Sequence, residues 1–371
     1  MANEKKTVRE PSFILALVPI VAMIGFMLYC FRGHSETGYH DAHLPLVMSI
    51  IVACIVGFIC GHSFQEMLAG MVERLAASME AVLILATVGF LVTSFMLSGA
   101  IPTMIVYGLD LLTPKLFLPV GCILCAIVGM ACGSSWTTTA TIGLAFLGIG
   151  AGLGIPAPIT AGMIISGAYV GDKFSPLSDT TNLAAAVAET GLFDHVTAMV
   201  STTGPTLLLS LILYTILGLN VDTSAYDATV AEGIQEAFRS AFTISPILLL
   251  PIIVVIVMCI LRVPGLVGIA ISVATAVVFM LIFQSTDIFY SYSLGDIFDV
   301  LHYGNAVETG NAVADSILGK AKGMDGMMWT INLILVALAY GGALERCGCI
   351  EKLFGGLKHK IHSVGSLILA T

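Results

Sequence analysis

Asp172, Lys173, Ser175, Ser178, Asp179, Thr180, Thr181 and Asn182 crowd into one short stretch, Gly171-Asp172-Lys173-Phe174-Ser175-Pro176-Leu177-Ser178-Asp179-Thr180-Thr181-Asn182. It follows a tract from Leu116 to Gly171 with no Asp, Glu, Lys, Arg or His. Ionisable groups at membrane depth are costly and persist mainly where they line an ion or substrate path. Carboxylates, hydroxyls, an amide oxygen and spare backbone carbonyls make a hard, all-oxygen shell, which suits an alkali cation better than a transition metal.

The local reading is a helix broken in two. The first half begins after Pro156 and Pro158 and runs to Val170, leaving the carbonyls near Ala168 to Gly171 unpaired at the negative end of the helix dipole. Gly171 can take the backbone angles that end a helix, and Asp172 then lies in the connection. Ser175 reads as the N-cap of the second half, with Pro176 at its first position. Ser178, Asp179 and Asn182 share one face at three- and four-residue spacings. A Na+ site is expected at Asp172, Asp179 and Asn182, with Ser175, Ser178 and Thr180 as further cation or proton contacts. Burial disfavours a charged carboxylate and a neighbouring cation favours it, so Na+ and H+ compete for one acid, Asp172 or Asp179. Lys173 either pairs with one of these acids in the empty site or reaches the interface. The plainer alternative is a polar loop with Ser175-Pro176 capping the next span; the polar run to Asn182 goes well past any cap.

Gly133 to Thr141 is the second candidate, with seven of nine residues Gly, Ser or Thr. Two readings stand: close helix packing by small residues, or a hairpin tip presenting Ser134, Ser135 and Thr137 to the ion. Glu345 either faces a bundle interior or pairs with Arg346 at the interface. Glu66, Glu73 and Arg74 read as the surface of an amphipathic connector, and His34, His40 and His43 as a solvated loop, pH sensing being the sharper option. The cysteines are scattered singly through apolar stretches and read as packing residues.

These residues need membrane helices to position them. The chain is 57% hydrophobic and 11% charged, with mean hydropathy +0.99, where a soluble domain carries about 25% charged residues. That composition implies an all-α polytopic membrane protein in the lipid bilayer. The net charge of −9 argues against a nucleic-acid partner. Apolar stretches fall at 12–32, 44–61, 81–98, 100–112, 116–133, 137–155, 156–171, 195–219, 240–261, 264–284 and 328–344. The run from Phe13 to Phe31 is too long for a signal-peptide core, and Lys5, Lys6 and Arg9 before it place the N-terminus in the cytoplasm.

Interruptions at Ser98 to Pro102, Gly133 to Thr139 and Gly171 to Pro176 suit re-entrant hairpins and broken helices, which secondary transporters use for midplane sites. Residues 88–101 align with 337–350, matching Gly99 to Gly348 and Ile101 to Ile350. The expected organisation is a tail and two spans over 1–80, a first repeat with hairpin and broken helix over 81–219, a connector over 220–240, and the start of a second repeat over 241–371. Ending inside the apolar run from Val364, that second repeat reads as incomplete.

The string from Gly171 through Asn182-Leu183-Ala184 resembles the NhaC-type Na+/H+ antiporters of the bacterial ion transporter superfamily. Leu97-Ser98-Gly99-Ala100-Ile101-Pro102-Thr103, the Gly133 to Thr137 tip and Tyr340 to Glu345 support it, so the resemblance covers most of 80–355. It implies an inverted-repeat secondary transporter of the cytoplasmic membrane, often a homodimer, exchanging Na+ for H+ with no cofactor. It also implies an alternative, Na+/H+-coupled exchange of organic anions such as malate and lactate. No Arg occurs between Arg74 and Arg239 to hold such an anion, which leaves Lys173. An enzyme is disfavoured: no Gly-x-Ser-x-Gly, His-Glu-x-x-His or paired-Asp motif falls in the spans. A channel is the remaining class.

Overall fold

In the computed structural model of the chain the described residues are 8–32, 41–176, 178, 180–181, 184–185, 190–220, 228–261, 263–284, 294–304 and 307–358. Among them there is no strand. Backbone amides in hydrocarbon must bond within their own segment, so apolar runs of this length fold as helices. Six described helices are long and apolar enough to cross a membrane, and Thr229–Ala241 with Pro246–Ile260 form a further broken pair bent by 91°. The protein is a multi-pass membrane protein.

The helices are α1 (Phe13–Arg32), α2 (His43–Ile59), α3 (Phe64–Ala77), α4 (Met79–Leu97), α5 (Ala100–Leu111), α6 (Pro114–Cys132), α7 (Ser135–Thr138), α8 (Leu144–Gly152) and α9 (Ala157–Phe174). They continue as α10 (Leu192–Leu219), α11 (Ala228–Ala241), α12 (Leu250–Ile260), α13 (Gly265–Phe283), α14 (Leu294–Tyr303), α15 (Ala312–Leu318), α16 (Asp325–Arg346) and α17 (Cys349–Lys358). These bounds follow the apolar stretches closely. One difference is α11: residues expected to form a connecting loop are helical, burying Ala231, Ile234, Phe238 and Ala241 along one side.

The chain divides into two compact units, Met1–Leu83 with Met328–Thr371, and Ile84–Met327. In the first, α1 packs on α2 and α17, and the Tyr340 hydroxyl donates to the Pro19 carbonyl at 3.0 Å. At one end of α2, Asp41 accepts from Trp329 Nε1 at 2.9 Å and bonds the His43 ring. Burial opposes ionisation of Asp41, but the bonds from His43 and Trp329 outweigh it and hold its carboxyl below the ordinary range. At the other end of α2 the Arg9 amide donates to the Cys60 carbonyl at 2.8 Å. The capping box Ser63–Glu66 starts α3 there.

The core of the second unit gathers Phe95, Phe117, Phe238 and Phe242. Gly99, at φ +80°, ends α4 and starts α5. Buried Gln284 braces that turn, donating to the Ser98 carbonyl at 3.0 Å and accepting from the Thr243 amide at 2.9 Å. The first unit holds a turn of the same build: α16 ends, Gly348 takes φ +73°, and α17 begins. The Thr103 amide bonds the Gly99 carbonyl at 2.9 Å, and the Lys352 amide bonds the Gly348 carbonyl at 3.0 Å. The pair aligned by sequence thus has one local geometry.

Candidate functional site

The site is set by how closely α6 and α9 approach. A Cβ on Gly167 would strike the Cys122 carbonyl, and one on Gly171 would lie 2.7 Å from the Met130 nitrogen. One on Gly129 would lie 2.7 Å from the Ala168 carbonyl. The two backbones therefore touch along a glycine seam, as small residues permit in hydrocarbon. This seam carries the last turn of α9 to the end of α6, beside the turn that follows it.

Gly133 ends α6 at φ +63°. Ser134 then caps α7, its hydroxyl accepting from the Thr137 amide at 3.2 Å and the Thr137 hydroxyl at 3.1 Å. A π-helical turn, Thr139–Gly143, joins α7 to α8; such turns frequently mark functional sites. Thr138 and Thr141 are buried there, their hydroxyls donating to the carbonyls of Ser134 and Thr137 at 2.9 and 2.7 Å. Trp136 projects outward and is 54% exposed.

Asp172 is buried on the last turn of α9. The Ser178 hydroxyl, the Ser135 hydroxyl and the Ser135 backbone N–H are the donors nearest to its carboxylate. Lys173, next to it, is exposed and makes no ion pair within 4 Å among the described residues.

The helix break is present, with two corrections to its layout. First, α9 continues through Gly171 to Phe174, so Asp172 stands on the helix rather than in the connection. Gly171 is there for contact with α6, not as a helix terminator, because its missing side chain is what lets the backbones meet. Second, Ser178 rather than Ser175 acts as the cap of the resumed helix: its hydroxyl accepts from the Thr181 amide at 3.3 Å. Ser175 is buried and closes the first half, its amide donating to the Asp172 carbonyl at 3.1 Å.

Of the candidate contacts, Ser135 and Ser178 meet Asp172 directly. Thr180 lies one bond further out, its hydroxyl 2.9 Å from that of Ser178. Ser134 and Thr137 bond each other at the tip. Asp179 and Asn182 lie outside the described residues, as do His34 and His40. Thr181 is a further site residue beyond those the sequence singles out. Its hydroxyl spans the break to the carbonyls of Asp172 and Lys173 at 3.3 and 3.4 Å, quenching the helix end that was expected to be bare. Its place one turn beyond the break was the available signal. Among the described residues no group of three or more His, Cys, Asp or Glu is arranged to hold a metal ion.

A family model described as the Na+/H+ antiporter family matches residues 167–371. The chain is 34% identical over 331 residues to the Na+/H+ antiporter NhaC of Alkalihalophilus pseudofirmus, covering 89% of this chain and 70% of that protein. It is 34% identical to the arginine/ornithine antiporter ArcD of Halobacterium salinarum, covering 98% of this chain and 73% of that one. It is 31% identical to the malate-2H+/Na+-lactate antiporter of Bacillus subtilis, covering 99% and 76%. No solved structure matches the chain.

Proposed function

The chain belongs to the Na+/H+ antiporter family, and from that premise we propose that it exchanges Na+ for H+ across the cytoplasmic membrane, both ions competing for the carboxylate of Asp172. The observation that carries this reading is a buried acid on a broken helix, with two hydroxyls and one backbone amide as its neighbouring donors.

A hydroxyl is both donor and acceptor. In the empty, ionised site Ser135 and Ser178 donate to Asp172. When Na+ arrives, both O–H groups rotate away and turn lone pairs to the ion, joining a carboxylate oxygen in the all-oxygen shell a hard cation requires. When a proton arrives instead, the carboxyl donates to one of the same hydroxyls. Three states are thereby served with little backbone movement. The Ser135 amide is a fixed donor and anchors the carboxylate throughout. Asp179 and Asn182 are proposed as further oxygen ligands from their spacing alone, and Thr180 as a contact through Ser178. Ser134, Thr137 and Ser175 support the shell by shaping the tip and the break.

A second reading, Na+/H+-coupled exchange of an organic anion, draws on the malate/lactate relative. Lys173 is the one basic residue adjacent to the break, and it points outward, which favours the small cation. A cytoplasmic N-terminus belongs to the same proposal: Arg9, Arg74, Arg346 and Lys352 near one end of the first unit support it, since basic residues favour that side.

Everted vesicles loaded with a pH-sensitive dye test the assignment. Adding Na+ to a respiration-generated gradient should dissipate it, with malate, lactate or arginine giving no further effect. D172N should cut the Na+ response to background while D179N separates the second acid. A Na+ response of wild-type size in D172N overturns the role of Asp172. A response that needs malate or lactate selects the second reading.

A further inference from the structure

The first unit holds a cavity of about 450 Å3 that the exchange site does not use. Its walls carry Glu73 and Arg74 from the end of α3 and Glu345 and Arg346 from the end of α16, with His62 alongside. The two helices cross at bare backbone. A Cβ on Gly342 would lie 2.6 Å from the Gly70 carbonyl, and one on Gly70 would lie 2.7 Å from the Arg346 Cβ. Side chains beside so tight a crossing must splay, and the space between them is the cavity.

The charges around it close no direct pair. Among the described residues neither arginine side chain and neither glutamate side chain makes an ion pair within 4 Å or a hydrogen bond, and Arg346 reaches the Glu66 carboxylate only through space. Elsewhere in the same unit an exposed pair does close, Lys352 with Glu10 at 3.5 Å. Two guanidinium forks match the paired oxygens of a phosphate. Two carboxylates accept from N–H or O–H groups a short distance away. The complementary ligand is a phosphoester that carries its own donors.

The location of α3 indicates where that ligand comes from. Phe64, Leu68 and Val72 recur every four residues and are 61%, 45% and 54% exposed, so α3 leaves one apolar stripe uncovered on the face turned away from the cavity. That is the character of a helix lying in the headgroup zone.

We propose that this cavity binds a donor-bearing phosphoester headgroup, with Arg74 and Arg346 holding the phosphate and Glu73 and Glu345 accepting from the group beyond it. Phosphatidylethanolamine and phosphatidylcholine have the same net charge and differ in these donors, so they make the decisive comparison. The delipidated full chain in detergent is mixed with each lipid and the bound lipid counted by native mass spectrometry. Wild type should retain phosphatidylethanolamine about fivefold better than phosphatidylcholine, and R74Q/R346Q should lose that retention. E73Q/E345Q, which leaves both arginines, should still bind but no longer discriminate. Displacement of the lipid by free phosphoethanolamine at millimolar concentration would identify the soluble ester as an occupant of the same chemistry. Equal retention of the two lipids by wild type, or unchanged retention in R74Q/R346Q, overturns the proposal. None of these readouts depends on ion exchange, so the outcome is separate from that of D172N.

Discussion

Ser135 supplies Asp172 with two donors of different kinds, and only the hydroxyl can reverse its role. S135A keeps the amide anchor and removes a proposed cation ligand. It should raise the KM for Na+ about tenfold, in line with losing one hydrogen-bonding partner of a charged group, while S178A should also weaken the cap on Thr181 and lower the amount of folded protein. Because Na+ needs the ionised acid, the apparent KM for Na+ in wild type should fall as pH rises, by up to about tenfold per unit; a KM flat from pH 6 to 9 would contradict direct competition. Asp315, outside the candidate spans, offers a different test. The Thr309 amide and hydroxyl both reach its Oδ1 at 2.7 Å, and with the Gly310 amide they hold its carboxyl below the ordinary range. A depressed folded pKa contributes stability above the unfolded value of about 3.9 and loses it as pH falls through the folded one. D315N should therefore be about 1 kcal/mol less stable at pH 7, and the gap to wild type should close in acid below the carboxylate range, as read by thermal unfolding in detergent. The acid and its serines were legible in the sequence because nothing else polar interrupts the tract before them. Which serine caps was not, since Ser175-Pro176 and Ser178 both fit a helix start; the Thr181 hydroxyl, drawn across the break, decides it.

Helix bounds were legible because hydrocarbon allows an apolar run little besides a helix, and α10 spans the residues its hydropathy marks. The helical register of α9 past Gly171 was not. Glycine at that point reads equally as a terminator or as a contact, and only the neighbouring helix separates the two. The seam makes a prediction at this scale. G171A would push a methyl into the Ala126 carbonyl and the Met130 amide, forcing α9 off α6 and Asp172 away from Ser135. Exchange should fall at least about tenfold, since a displacement of an ångström costs that or more at a positioned site. G25A, whose new methyl meets nothing within 4 Å, should leave transport unchanged. Comparable losses in both would sink the seam as the positioning device. The helix α11 is hidden in the sequence for another reason. Glu232, Glu236 and Arg239 give that segment the look of a solvated connector, yet its buried stripe runs at helical spacing.

Across the whole molecule, the sequence already carried the membrane class, and it could not carry the division into two units, which depends on 328–371 returning to 1–83. Within the first unit, Asp41 and Glu73 lie near opposite ends of α2 and its continuation, a helix of 17 residues, about 25 Å long. In a cysteine-free background, E73C should react with an impermeant maleimide in everted vesicles and D41C in right-side-out ones. The reverse pattern would invert the proposed orientation. The chain has two tryptophans, and they fall one to each unit. Trp329 is tied to Asp41, whereas Trp136 follows Ser135 at the tip. With W329F, the emission that remains comes from an indole adjoining Ser135, a proposed ligand of the ion. The protein thus carries a built-in optical reporter: titrating Na+ into W329F should shift its fluorescence, and W329F/D172N should stay dark to the salt.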